Sequence, residues 1–206
     1  MRAELLLASS NAGKLREYGA LAAECTDKIA IDLLPGFREL PAFPEDAPTF
    51  AENAAGKALH YSRFTDEIVF ADDSGLVVAA LNGAPGVRSA RYAGENASDA
   101  ERNAKLLAAM RDKSGDARNA TFVCVIAAAK QRKMLAVVSD SVAGAIASET
   151  RGAKGFGYDP LFYFAPRKKT FAELTEAEKN QLSHRGKAFR KLCAALVPAK
   201  ANDHRS

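Results

Sequence analysis

The chain opens on a short apolar run, Leu5 to Ser9, of the kind that forms a buried strand. Leu15 to Ala23 follows with helical composition. Pro35, Pro41, Pro44 and Pro48 then punctuate a stretch through which no long helix can run. Thr49-Phe50-Ala51-Glu52 has the form of a capping box and predicts a helix from about Phe50 to Phe64. Ile68 to Ala71 reads as a short apolar strand that ends at Asp72-Asp73-Ser74-Gly75. Glycines and a proline make 82–98 mostly loop, and Ser98 is placed to cap a helix reaching Met110.

Phe122 to Ala129 and Leu135 to Val138 are β-rich runs separated by a polar turn, which predicts a hairpin at the centre of the sheet. Gly152 to Gly157 is a glycine-rich loop, and Thr175-Glu176-Ala177-Glu178 is a second capping box. Phe189, Leu192, Cys193 and Leu196 recur at helical spacing and read as core packing. The polar residues 199–206 are expected to form a disordered tail. No repeat, low-complexity tract or linker interrupts residues 1–198, so a single domain is expected there. Irregular alternation of helices and strands, with a hairpin between them, predicts an α/β fold with a mixed β-sheet and flanking helices.

Composition narrows the function only a little. Of 206 residues, 48% are hydrophobic and 26% charged, an ordinary globular balance. A net charge of +4 suits an anionic small molecule as well as it suits nucleic acid. Basic residues are not interleaved with aromatics, and Arg167-Lys168-Lys169, the only run of three, reads as a solvated loop. This weighs against a nucleic-acid-binding module and leaves nucleic acid off the list of partners. Cys25, Cys124 and Cys193 are odd in number, far apart and without a CxxC pair, as reduced thiols are. Leu5 to Ala8 is too short for a signal core, and no stretch approaches the roughly 18–20 apolar residues that cross a bilayer. The expectation is a cytoplasmic protein with no membrane partner.

Five segments carry candidate chemistry, each with an ordinary structural alternative. Ser9-Ser10-Asn11-Ala12-Gly13-Lys14 lies between strand and helix, where backbone N–H groups, a helix dipole and a cation converge as a phosphate site. It is not a Walker loop, and a plain turn with a surface lysine would look the same. Asp72-Asp73 at a strand end suits a hard divalent cation. Both carboxylates serve one site only if Asp73 lies beyond the last regular strand residue; one of them capping a turn is the alternative. Glu45-Asp46 reads as solvated loop on its own, and Glu52 as the capping partner of Thr49, with a metal role open for it. Gly155-Phe156-Gly157-Tyr158-Asp159 can lay aromatics over a flat ligand, or be a packed turn. Lys179 and Ser183-His184-Arg185 can grip a phosphate or a purine carbonyl, although a lone histidine is more often structural.

Together these segments resemble one family. Ser10-Asn11-Ala12-Gly13-Lys14 with Glu17, Thr49-Phe50-Ala51-Glu52-Asn53-Ala54, and Ala71-Asp72-Asp73-Ser74-Gly75-Leu76 come first. Gly83 to Gly94, Gly155 to Phe162, and Ser183-His184-Arg185 follow in the same order. The pattern is similar to that of the inosine triphosphate pyrophosphatase family, from about residue 5 to residue 197. The resemblance implies an elongated mixed sheet in two lobes around an active-site cleft, and a homodimer. It implies cleavage of ITP, dITP and XTP, purine nucleoside triphosphates, between the α and β phosphates, with magnesium (Mg2+) as cofactor. By position, Ser9, Ser10, Asn11, Ala12, Gly13 and Lys14 hold the triphosphate, and Asp73 accepts the proton of the attacking water. Glu45 and Asp73 bind the metal, and Ser74 contacts substrate. Phe156, Gly157, Tyr158, Asp159, Lys179, His184 and Arg185 shape the base and phosphate pocket. A pyrophosphatase for modified pyrimidine or other nucleotides stays open beside this reading.

Overall fold

The computed structural model describes residues 3–25 and 29–196. The expected tail at 199–206 and the side chain of Cys25 lie outside the described residues. Among those described, seven strands form one sheet in the order β2-β1-β3-β4-β5-β6-β7. They are β1 (Ala3–Leu7), β2 (Ile29–Leu33), β3 (Ile68–Val78), β4 (Asn119–Lys130), β5 (Lys133–Ile146), β6 (Phe162–Phe164) and β7 (Lys169–Thr170). β1 is parallel to both β2 and β3, and every later pairing is antiparallel. The mixed α/β sheet expected from the sequence is present, with the β4–β5 hairpin at its middle.

The sheet is covered by helices α1 (Ala12–Cys25), α2 (Phe50–Tyr61), α4 (Glu176–Leu182) and α5 (His184–Leu196), with α3 (Asp99–Ala109) at the far end. Strand alternation sorts the apolar residues between two faces. Leu5, Leu7, Phe70 and Ile126 pack on Tyr18 of α1 and on Phe189 and Leu192 of α5. Leu6, Val69, Ala71, Val125 and Ala127 pack on Ala54, Ala58 and Tyr61 of α2. A third cluster sits at the other end of β3 and β4, where Leu76, Val78 and Phe122 meet Leu106, Met110, Phe162 and Phe171. Complete burial of one such leucine or phenylalanine contributes about 1.5–3 kcal/mol.

Local signals set the helix ends. The Ser98–Glu101 and Thr175–Glu178 capping boxes both form. Thr49 caps α2 by accepting from the Glu52 N–H at 3.1 Å, and its hydroxyl donates to the Glu52 carboxylate at 2.7 Å. Glu52 is therefore spent at the helix start. α2 stops at Tyr61 rather than Phe64, because Ser62 turns its hydroxyl to Leu59 O and accepts the Arg132 N–H of the hairpin tip. That tip is a two-residue turn, Gln131 and Arg132, with φ of 48° and 64°. Two successive left-handed residues match the twist of a hairpin. The strands on either side run further than their apolar runs suggested, since β4 is paired along both edges.

One expectation is corrected. β3 does not end at Asp72; it continues through Asp72-Asp73-Ser74-Gly75 to Val78, in register with Ile126, Val125, Cys124 and Val123 of β4. Polar residues persist in this central strand because each side chain finds partners in the site. Gly75 is required there by close approach. A Cβ at this position would stand 2.4 Å from Ser89 Oγ and 2.6 Å from the Gly86 carbonyl oxygen. The Ser89 hydroxyl accepts the Leu76 N–H at 2.9 Å and donates to Gly86 O at 2.7 Å, so the 86–91 turn is laced to β3. Gly75→Ala is therefore expected to lose about 1–3 kcal/mol of stability, the cost of overpacking. Urea denaturation measures it, and an unchanged midpoint would show that the 86–91 turn shifts freely.

Candidate active site

The turn after β1 is built by Asn11. Its Oδ1 accepts the N–H groups of Gly13 at 2.9 Å and Lys14 at 3.1 Å, which starts α1. Ser9 Oγ accepts the Asn11 N–H at 3.1 Å. Two donors expected to face a phosphate are thus already taken by Asn11, while Ser10, Asn11 and Ala12 remain exposed. Lys14 turns inward, its Nζ 2.9 Å from Asp72 Oδ1.

Asp72 and Asp73 lie mid-strand and point to opposite faces, so they are not the paired carboxylates of a bent strand end. Asp72 is 1% exposed. It accepts from Ser74 Oγ at 3.2 Å, and Ser74 Oγ accepts from Arg185 Nη2 at 2.9 Å. Burial would raise the Asp72 carboxyl, but Lys14 and Arg185 outweigh it and hold it far below the usual carboxylate range. Asp73 faces α2 and accepts from Asn53 Nδ2 at 2.9 Å. Burial pushes its pKa up to about 6, against the Asn53 hydrogen bond and Lys14; the negative charges of Glu45 and Asp72 add to the rise. Glu45 pairs with Lys57, and its carbonyl accepts from Arg91.

On the Asp72 face, Glu17 of α1 accepts from both Lys179 and Arg185. Lys179 also donates to Asp159 Oδ2 at 2.5 Å, and Asp159 Oδ2 accepts the Phe156 N–H at 2.9 Å. Burial alone would raise Glu17 and lower Lys179. Arg185 and Lys179 reverse the first, Asp159 and Glu17 the second, so both groups stay ionised. The Phe156 ring lies 4.9 Å from Lys179 Nζ and 5.3 Å from the Arg185 guanidinium, within cation–π range. It also covers Gly13, where a Cβ would come 2.6 Å from the ring. This glycine lets the aromatic close over the start of α1. A pocket beside it is lined by Arg16, Glu17, Lys154, Phe156, Thr175 and Lys179, among others.

The fold therefore brings Lys14, Ser74, Phe156, Asp159, Lys179 and Arg185 into one connected cluster. It sets Asp73 and Glu45 on the other face of β3. Tyr158 is turned away, its hydroxyl donating to Ser89 O at 2.8 Å. Gly157 is bonded to α3. His184 stacks on Phe122 with ring centroids 4.6 Å apart and planes at 10°, a core contact. Lys57 received no role from the sequence, Asn53 and Glu17 only a place in a motif, and Asp72 only a share in a candidate cation pair with Asp73. Asn53 and Lys57 did carry a signal: two polar residues one turn apart on the apolar, buried face of α2.

Comparison with known proteins places the chain as a whole. The model of the Ham1 family matches residues 5–195. A dITP/XTP pyrophosphatase of Desulforamulus reducens is 48% identical over 94% of this chain and 95% of its own length. One of Geobacillus kaustophilus is 49% identical over 92% of each. The solved structure of a HAM1 protein from Coxiella burnetii superposes with a TM-score of 0.83 at 43% identity, covering 96% of this chain and all of that one. The Staphylococcus aureus Ham1 protein gives 0.81 at 38%, covering 94% and 97%. The chain belongs to the Ham1 family.

His184 supplies a test of the buried site. It is 4% exposed, and burial, with Arg185 and Lys179 nearby, holds its pKa well below the ordinary 6.5. The folded protein keeps it neutral, whereas the unfolded chain protonates it below 6.5. Stability linked to this residue is complete above that pH and is lost on acidification, at about 1.4 kcal/mol per pH unit. The unfolding free energy of wild type relative to His184→Gln should therefore fall between about pH 7 and pH 5. A pH-independent difference would mean that His184 titrates normally in the fold.

Proposed function

We propose that this chain hydrolyses non-standard purine nucleoside triphosphates, ITP, dITP and XTP, to the monophosphate and pyrophosphate. It thereby clears the nucleotide pool of bases that misincorporate into DNA and RNA. The observation that carries the reading is a single line of buried contacts. Lys14 at the triphosphate turn and Arg185 at the purine pocket meet on Asp72, beside Asp73, whose pKa is near neutral. The Desulforamulus and Geobacillus relatives, named for this activity, support it. The chain acts as one domain over residues 1–198, in two lobes around the cleft, and as a cytoplasmic homodimer, as the family resemblance implies.

Lys14 Nζ and the start of α1 hold the outer phosphates and offset charge on the departing pyrophosphate. Asp73, raised toward neutrality and oriented by Asn53, takes the proton of the water that attacks the α-phosphorus. Phe156 lies against the purine, with Arg185 and Lys179 behind it. N–H groups of the pocket, such as those of Arg185, donate to the 6-carbonyl oxygen of hypoxanthine or xanthine and leave the 6-amino group of adenine unpaired, a mismatch that discriminates strongly.

The residues fit a divalent cation. Asp73 and Glu45 offer hard oxygen donors, and the charge of Glu45 contributes to the raised pKa of Asp73, a repulsion that a cation relieves. Among the described residues, no group of three or more His, Cys, Asp or Glu gathers to enclose a metal. That suits Mg2+, which takes one or two carboxylates and completes its shell with phosphate oxygens and water. When bound, it would neutralise charge on the triphosphate.

Hydrolysis of ITP in oxygen-18 water tests the reaction. Label in IMP, with pyrophosphate released intact, is expected; early IDP or orthophosphate would reject the reading. A panel with GTP, ATP and modified pyrimidine triphosphates separates the two nucleotide classes. Asp73→Asn should retain nucleotide binding and lose most turnover, and wild-type kcat in this variant would move the base elsewhere. Lys14→Ala should lose about 2–4 kcal/mol of transition-state stabilisation, read as kcat/KM. Exhaustive EDTA treatment should abolish turnover, and undiminished activity would reject the metal.

A further inference from the structure

The loop that carries Phe156 is anchored at two places. One is Asp159, which accepts the Phe156 N–H and the Lys179 ammonium. The other is α3, a helix to which the sequence motifs give no role. Asp99 Oδ2 accepts the Gly157 N–H at 2.7 Å, and Asn103 Nδ2 donates to the Gly157 carbonyl at 2.9 Å. These two residues stand one turn apart on the same face of α3. Both polar groups of one peptide residue are thus held by one helix, at a glycine whose φ of 64° gives the loop its bend.

The Asn103 side chain is otherwise poorly served where it lies. It is 5% exposed, shares the buried face of α3 with Leu106, and its Oδ1 has no hydrogen-bond partner among the described residues. An amide buried with an unmet acceptor costs free energy. Its contact with Gly157 is what it provides in return. Asp99 is fixed in turn by Arg102, which also donates to Ala90 O at 2.8 Å and to Ala97 O. The clamp is therefore continuous with the 86–91 turn that is laced to β3.

We propose that Asp99 and Asn103 are positioning residues of the purine pocket. By fixing Gly157 they hold the adjacent Phe156 ring against Lys179 and Arg185, and so set how tightly the base is bound. This rests on the pyrophosphatase reading and adds to it the residues that govern the base rather than the phosphates. Neither residue touches the reacting atoms.

The test separates base from phosphate. Asn103→Ala removes the donor, and Asn103→Asp removes it at constant volume, which keeps a cavity from being mistaken for a lost contact. Asp99→Ala tests the same clamp at a side chain that is 42% exposed, without disturbing the core. Steady-state kinetics on ITP are run beside inhibition by inorganic tripolyphosphate, which presents the phosphates without a base. KM for ITP should rise about ten-fold, the scale of one hydrogen bond, with kcat within about two-fold and tripolyphosphate inhibition unchanged. An unchanged KM, or tripolyphosphate inhibition weakened in parallel, would overturn the proposal. Wild-type enzyme that leaves ITP intact would instead overturn the pyrophosphatase reading, and the purine role with it.

Discussion

A carboxylate such as that of Glu17, 7% exposed, is costly to remove from water unless cations come with it. Lys179 and Arg185 are those cations, and each is itself too buried to stand alone. Lys179 takes Asp159 as a second partner, and Arg185 faces Asp72, which binds Lys14. The cluster holds three cations, Lys14, Lys179 and Arg185, and three carboxylates, Glu17, Asp72 and Asp159. The three cations are matched in number by the three carboxyl groups, of which burial raises Asp159 against the pull of Lys179. Removing one partner from a buried pair costs about 3–5 kcal/mol, because the charge left behind is uncompensated. That penalty ties α1, β3, the Phe156 loop, α4 and α5 to one relative placement, which is the shape of the pocket.

β3 passes through this cluster and divides its work between faces. Asp72 joins the ion network and stays charged, whereas Asp73, one residue on, faces Asn53 and keeps its proton to about pH 6. Two chemically identical side chains acquire opposite characters because a strand turns neighbours apart. Lys14 acts on both carboxylates, but only Asp72 forms an ion pair with it, while Asp73 rests on the Asn53 amide.

Much of this was legible in the chain. Capping boxes at Ser98 and Thr175, the apolar runs of β1 and β4, and the stripe on α5 are local signals, and the elements follow them. Lys179 and Arg185 stood out by residue type and motif. Glu17 stood in a motif too, but its pairing with them was hidden, because it lies 162 and 168 positions away and no spacing rule links them. The end of β3 was misplaced for a related reason. Asp-Asp-Ser-Gly reads as a breaker in isolation, and only contacts with Lys14, Arg185, Asn53 and the 86–91 turn let it remain in a strand. The hairpin tip, Gln131-Arg132, lacks the glycine or asparagine that announces such turns, so the length of β5 was also hidden.

The distance in sequence between Glu17 and its cations bears on how the protein is made. A ribosome delivers α1 and β3 long before α4 and α5, and domains organise from the N-terminal side as they emerge. Throughout that interval Glu17 and Asp72 lack Arg185, so the interior around them cannot close dry. The ion cluster is completed only when α5 docks, 168 positions after Glu17.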